Sequence, residues 1–431
     1  MTLSVHARAR AQDLLDFIDA SPSPWHVAAS VAQRLEAQGF AALREEERWQ
    51  LAAGGQYFVV RGGSSVIAFV VGAQPLARTG FKIVGAHTDS PGLRLKPRAP
   101  HAGEPMARLG VEVYGGPILA TLTDRDLSLA GRIGLRGENG PQARLLRFHK
   151  PLARLPNLAI HMNRNVNEDG LKLNKQTELP LLLGYLQEAF PPGEQFRVLL
   201  AHEAGMEPEE IINWELQVYD TQKGVFWGAQ EEFIADSQLD NLASCHAGIS
   251  ALLNAQAPAA TCVCALFDHE EVGSESAKGA GGSFLADVLG RIGAGLDSEA
   301  QAQALARSFF ISADMAHAYH PNFPAAYEPL HLIRVNGGPV IKTNANHRYA
   351  TDGESEAVFI QLCEAAEVPY QQYAHRSDLG CGSTIGPIVA ARLGVRSVDV
   401  GNPLWAMHSV RESAGAADHA LMIRVLEQFF R

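Results

Sequence analysis

No apolar run in the sequence approaches the roughly 20 residues that a membrane span needs. No stretch near the start joins a charged region to an apolar one in the manner of a secretory signal. Residues Ala7–Ala20, with Arg8 and Arg10, instead carry the periodicity of an amphipathic helix. Cysteine is scarce: five residues, at 245, 262, 264, 363 and 381, form no even framework and fit a reducing compartment. Cys262 and Cys264 sit inside an apolar run with no second pair to complete a metal site, so they read as core. Basic runs are missing too, and the formal net charge of −11 disfavours general nucleic-acid binding. No Gly-x-Ser-x-Gly elbow surrounds Ser383, and no cysteine has an evident base, which argues against a serine or cysteine hydrolase. Internal repeats and low-complexity segments are absent. With 431 residues, 46% of them hydrophobic, the chain has ample material for a core and a length suited to two or three domains. The expectation is a cytoplasmic protein with no nucleic-acid or membrane partner.

What the sequence does contain is a series of short apolar runs ending in ligand-type residues. Ala260–Phe267 leads into Asp268-His269-Glu270-Glu271, and Phe81–Val84 leads into Gly85-Ala86-His87-Thr88-Asp89. Phe309–Ile311 leads into Ser312-Ala313-Asp314, Pro339–Ile341 into Lys342, and Val398–Val400 into Gly401-Asn402-Pro403 with His408 beyond. Such runs fit strands buried on both faces of a parallel sheet. Ligands in open α/β sheets bind beyond the carboxyl ends of the strands. Adjacent glutamates at a buried strand end are costly unless something compensates them, and a metal ion does so with least strain. Asp240 precedes a helical stretch, Ala243–Ala255. Alone it would read as an N-cap, but its company favours a bridging ligand.

Two imidazoles and three carboxylates, His87, Asp240, Glu271, Asp314 and His408, suit a pair of divalent ions, with zinc, manganese and cobalt as the candidates. Two such ions would share and acidify a water. Glu270 is then the spare carboxylate, placed to act as general base. Asp89 lies two residues after His87, on the same face of an extended backbone, and is expected to accept the free imidazole N–H.

The fold expectation is α/β: a helix-covered, mainly parallel sheet, interrupted by a β-rich insertion. The first catalytic part spans 1–91, the insertion 92–234 and the second catalytic part 235–431. Helices are expected at Ala7–Ile18, Trp25–Gln38, Ala243–Ala255, Phe284–Leu289, Glu354–Ala366, Ile385–Leu393 and His419–Phe430. Strands in the insertion are expected at Val111–Tyr114, Ile118–Thr123, Leu127–Ile133, Phe196–His202 and Trp214–Asp220. Gly382-Ser383-Thr384, before the helix at Ile385, reads as a cap and turn rather than an anion site at the helix N-terminus. His26, His149, His202, His331, His375 and His419 show no pattern that points to chemistry.

Many separate strings resemble the M18 metallo-aminopeptidases, the aspartyl aminopeptidases, in that family's order. They include Ser21-Pro-Ser-Pro-Trp-His26, Gly85-Ala-His-Thr-Asp-Ser-Pro91, Gly110-Val-Glu-Val-Tyr-Gly-Gly116 and Asn157-Leu-Ala-Ile-His161. Later come Leu239-Asp-Asn-Leu242, Glu270-Glu-Val-Gly-Ser-Glu275, Ser312-Ala-Asp-Met-Ala-His-Ala318, Asp378-Leu-Gly-Cys-Gly-Ser-Thr384 and Ala406-Met-His-Ser409. The resemblance implies a zinc-peptidase-like fold in which the insertion serves as lid and dimerisation domain. It implies that His87, Asp240 and Asp314 hold one ion, that Asp240, Glu271 and His408 hold the other, and that Glu270 is the base. It also implies that His161 enters a neighbouring subunit's site, that Lys342 meets the substrate's acidic side chain, and that His317 lies near the substrate. The implied activity is removal of N-terminal Asp or Glu from peptides by a homo-oligomer, a dodecamer in the family. The other reading is a metallo-aminopeptidase or deacylase with another N-terminal preference.

Overall fold

The computed structural model describes residues 3–138, 140–186 and 192–431. Its contacts divide the chain into two compact units. One comprises residues up to Asp89, Gly224–Met407 and Glu412–Arg431; the other comprises Ser90–Lys223 and His408–Arg411. The chain therefore rejoins the first unit at Gly224, not at 235. Strand Val225–Trp227 pairs with Phe233–Asp236, which in turn pairs with Glu412–Gly415, all in one small sheet of the first unit.

The first unit is α/β. Its larger sheet has nine strands and is mixed. In the middle, Thr261–Phe267, Phe81–His87, Phe309–Ala313 and Arg396–Gly401 run parallel. Toward the two margins, Ser65–Val70 pairs antiparallel with Thr261–Phe267, and Val340–Thr343 antiparallel with Arg396–Gly401. Strand residues alternate between two apolar clusters, as a period of two requires. Cys262, Cys264 and Leu266 join Leu14, Ile18, Leu252 and Leu426, whereas Val263, Ala265 and Phe267 join Phe284, Val288 and Ile385. The Cys262/Cys264 pair is thus core, with burial pushing both thiols up. Gly401 is required by a close approach: a Cβ there would sit 1.8 Å from the Asp314 carbonyl oxygen.

The expected helices of this unit form with ends shifted by a few residues, from Val5–Ala20 at the start to Asp418–Phe430 at the end. Ser23 caps Pro24–Ala37, and Thr384 caps Ile385–Leu393 by accepting from Gly386 N, as expected of a cap. A helix not anticipated, Ser298–Ala306, starts at an Asp297 cap that accepts from Ala300 N at 2.8 Å. His246 and His419 are buried together, with Nδ1 of the first 2.8 Å from Nε2 of the second.

The second unit holds a six-stranded antiparallel sheet with its own core, including Leu93, Leu109, Leu129, Ile133 and Leu181. Leu127–Leu135 pairs with Ile211–Asp220, and Gly92–Gly103 with Met106–Tyr114. Two expectations fail here. Ile118–Thr123 is not a strand: residues Leu119–Leu122 form a 3-10 turn. Residues Phe196–His202 lie in a helix, Pro192–Ala204, whose buried Phe196, Leu200, Ala201 and Ala204 recur at helical spacing. Phe196 packs edge-on to Trp214 at 5.4 Å. The strand expectation rests on apolar content and misses the period. Among the described residues no helix is long and apolar enough to cross a membrane.

Candidate metal centre

Three parallel neighbours of the large sheet end side by side. His87 closes Phe81–His87 and is level with Phe267, the last residue of the adjacent strand; Asp314 comes directly after Phe309–Ala313 on the other side. The strand after which Glu270 and Glu271 come therefore delivers them to the edge that carries His87 and Asp314. After Phe267 the chain turns through His269, at φ 67, into a 3-10 turn at Glu270–Val272. Buried Asp268 anchors this turn, accepting from Ser64 Oγ at 2.6 Å and Lys278 Nζ at 2.9 Å.

Asp240 enters from the start of helix Leu239–Leu253. It is no N-cap: Gln238 occupies the cap without a side-chain bond, and Asp240 itself has non-helical ψ. Its N–H donates to buried Glu412 at 2.8 Å, and Asn241 Nδ2 donates to Ala313 O at 2.9 Å. The segment that presents Asp240 is thereby tied to the strand that presents Asp314.

His87, Asp240 and Asp314 converge, each with a ligand atom within 4.8 Å of the others; His87, Glu270 and Glu271 do likewise. His87 Nε2 lies 3.5 Å from Asp240 Oδ1 and 3.5 Å from Asp314 Oδ1. On the other side of the ring, Nδ1 is 2.9 Å from the Asp89 backbone carbonyl and 3.5 Å from its carboxylate. Nδ1 thus donates to Asp89, and Nε2, facing the two aspartates, is the nitrogen that would bind an ion once it gives up its proton. Asp89 fixes the tautomer mainly through its backbone. Its carboxylate is occupied elsewhere, accepting from Glu270 N at 3.0 Å and Glu271 N at 3.1 Å. Asp89 thus positions both glutamates, a contact that its two-residue spacing from His87 could not reveal.

The electrostatics call for a cation. Burial opposes charge on His87, yet Asp240, Asp314 and Asp89 outweigh it and hold its pKa well above the ordinary value. Burial pushes Glu270 up to about 7; His87 opposes the shift, and Asp314, Asp89 and Asp240 add to it. Five carboxylates crowd one imidazole at a place where ionised groups are expensive unless paired. One imidazole with several carboxylates is a donor set that suits divalent zinc. The residues present therefore fit the ion.

The remaining candidates stand differently. Lys342 is 2% exposed, and its ammonium donates to Asp314 O at 3.0 Å and Met315 O at 3.2 Å, with Asp314 Oδ2 at 3.5 Å. It borders the cluster, but its N–H groups already have acceptors. His317 is held near 4 by burial, with Lys342 and His375 adding, and so remains neutral. His408 lies in the second unit, where Nδ1 is 3.0 Å from Gly116 O; donation from Nδ1 leaves Nε2 as the lone-pair nitrogen. His161 is exposed, also in the second unit, between exposed Ile160 and Met162. Sequence reasoning missed Asn241, Asp268 and Glu412 as supports. Only Asp268 carried a signal, as a third acid beside two glutamates.

Comparison with known proteins agrees with this geometry. The family model described as "Aminopeptidase I zinc metalloprotease (M18)" matches residues 17–430. The chain is 48% identical over 425 residues to "Probable M18 family aminopeptidase 2" of Pseudomonas paraeruginosa (strain DSM 24068 / PA7), covering 97% of each. Among solved structures it resembles a chain in the "Cryo-EM structure of the Ape4 and Nbr1 complex", at 37% identity and TM-score 0.96, over 100% of this chain and 87% of that one. It also resembles the "S. cerevesiae mApe1 dodecamer", at 27% identity and TM-score 0.86, over 99% and 97% of the two chains.

Proposed function

The chain belongs to the M18 family of zinc metallo-aminopeptidases, and from that premise we propose that it removes acidic residues, Asp or Glu, from the N-termini of peptides at a two-ion centre. The observation that carries the reading is the convergence of His87, Asp240 and Asp314 with Glu270 and Glu271 at one strand edge. In this reading His87, Asp240 and Asp314 hold one ion, and Asp240, Glu271 and His408 the other. The support for His408 is the family resemblance and the ring orientation set by Gly116 O at Nδ1.

Divalent ions held there supply Lewis acidity, polarising a peptide carbonyl and lowering the pKa of a water. Glu270 takes the proton of the attacking water and delivers it to the leaving amine. Asp89, through the N–H groups of residues 270 and 271, keeps the base and the ligand apart in their two tasks. The carboxylates also offer an anionic partner for the substrate's free α-amino group.

Lys342 is assigned to the substrate's side-chain carboxylate. Removing one member of a desolvated charge pair costs about 2–5 kcal/mol. Lys342→Ala should therefore depress kcat/KM for Asp or Glu substrates far more than for a neutral one. Equal losses for both would show that Lys342 acts only by supporting Asp314. A second reading, the same hydrolysis with a broader N-terminal preference, draws on the two carbonyls that already accept from the ammonium.

We assign His161 to a neighbouring subunit's site within a homo-oligomer, in line with the dodecamer of the yeast relative. Its flanks suit a contact surface: Leu158, Ile160 and Met162 are 68%, 49% and 76% exposed. Mixing His161→Ala with Glu270→Gln protein should partly restore activity, because some sites then combine a good base with a good donated histidine. No recovery, with subunit exchange demonstrated by mass measurement, would show that His161 does not act across an interface.

A further inference from the structure

A cavity of about 860 Å³ opens where strands Val340–Thr343 and Gln371–Ala374 end in the first unit. It is far larger than one side chain needs and falls within the range of sites that take whole small ligands. Two connections lead from it to the substrate-binding candidates Lys342 and His317. Thr343, on its wall, comes directly after Lys342, and the ring of His375, also on its wall, lies 6.2 Å from that of His317.

The charges that line it are unequally satisfied. Asp352 accepts from Ser355 N at 2.8 Å, Glu356 accepts from Gln372 Nε2, and Arg376 is held by Asp378 through contacts of 2.6 and 2.9 Å. The guanidinium of Arg348 is exposed and makes no hydrogen bond or ion pair among the described residues. His375 adds a second polar group. Its Nδ1 is 2.6 Å from Tyr373 Oη, and its Nε2 is buried without a partner among the described residues. Burial pushes the Tyr373 phenol up, so the phenol keeps its proton. The ring thus keeps one buried nitrogen still to be satisfied. The unpaired guanidinium, on a residue that lines the cavity, matches a carboxylate.

We propose that this cavity receives the part of a peptide substrate beyond its N-terminal residue, and that Arg348 holds a carboxylate carried there. The inference rests on the peptidase reading and extends it to the substrate's length and downstream charge. Arg348 is then a specificity residue for longer acidic peptides, with no part in the chemical step.

The test compares kcat/KM for a single-residue aminoacyl reporter with that for tri- and tetrapeptides sharing the same first residue. Arg348→Gln should lower the peptide value relative to the reporter value by roughly tenfold, the size of one charge-assisted hydrogen bond. Arg348→Lys should retain part of it. In the unaltered enzyme, peptides amidated at the C-terminus, or with Asn or Gln for downstream acids, should show the same deficit, and the arm that shows it identifies the carboxylate used. An unchanged peptide-to-reporter ratio in the Arg348→Gln variant, or wild-type indifference to both amide series, overturns the proposal. Absence of turnover with every aminoacyl substrate would instead overturn the peptidase reading, so the two failures are distinguishable.

Discussion

Replacing Glu270 by glutamine should lower kcat by at least about a hundredfold, the usual contribution of a general acid–base group, while the protein still holds its metal. The amide keeps the size of the side chain and leaves the backbone N–H donated to Asp89 untouched. What disappears is the proton acceptor, a carboxylate that burial pushes above its ordinary range. Glu271→Gln should behave differently, weakening metal binding before anything else. Elemental analysis beside steady-state kinetics separates the two. A normal kcat for the Glu270 variant, or an empty metal site in it, would mean that the roles of the two glutamates are reversed.

The second large effect is loss of the metal itself. Chelation should abolish turnover, and a divalent ion should restore it. Asp240→Ala should remove activity that added metal does not recover, because the first cluster then lacks one of its three ligands. Asp240 is also the carboxylate assigned to both ions. His87 must give up a proton to act as a ligand, and its surroundings favour keeping that proton. Metal affinity should therefore tighten as pH rises through the range in which His87 deprotonates. Full turnover in protein shown by elemental analysis to be metal-free would refute metal dependence.

The strand ends are legible in the sequence because buried strands of a parallel sheet read as short apolar runs, and the residues just past each run project from one edge. That rule points to His87, Glu270, Glu271 and Asp314, which the structure brings together at one strand edge. Asp240 is legible only by association, since its local sequence suits an N-cap; Glu412 and Asn241 hold it in its non-helical place. The task of the Asp89 carboxylate depends on the backbone of residues 270 and 271, some 181 positions away, which no local spacing encodes. Phe196–His202 reads as a strand only when apolar content is weighed above helical period. The mixed character of the large sheet is hidden because an apolar run does not carry its direction: Val340–Thr343 looks like its neighbours and runs against one of them. The surroundings of Lys342 are equally hidden, since a lysine at a strand end gives no sign of which carbonyls its ammonium meets.

The central claim is a metal-dependent aminopeptidase selective for acidic N-terminal residues. It is tested most directly by kcat/KM for Asp-, Glu-, Leu- and Lys-aminoacyl reporters, measured on metal-free protein and again after reconstitution with a divalent ion. The account predicts no turnover before reconstitution and, after it, values for Asp and Glu at least about tenfold above those for Leu and Lys, the difference one satisfied charge pair makes. Equal or higher values for Leu or Lys would contradict the acidic preference, and turnover of any reporter by the metal-free protein would contradict the metal chemistry.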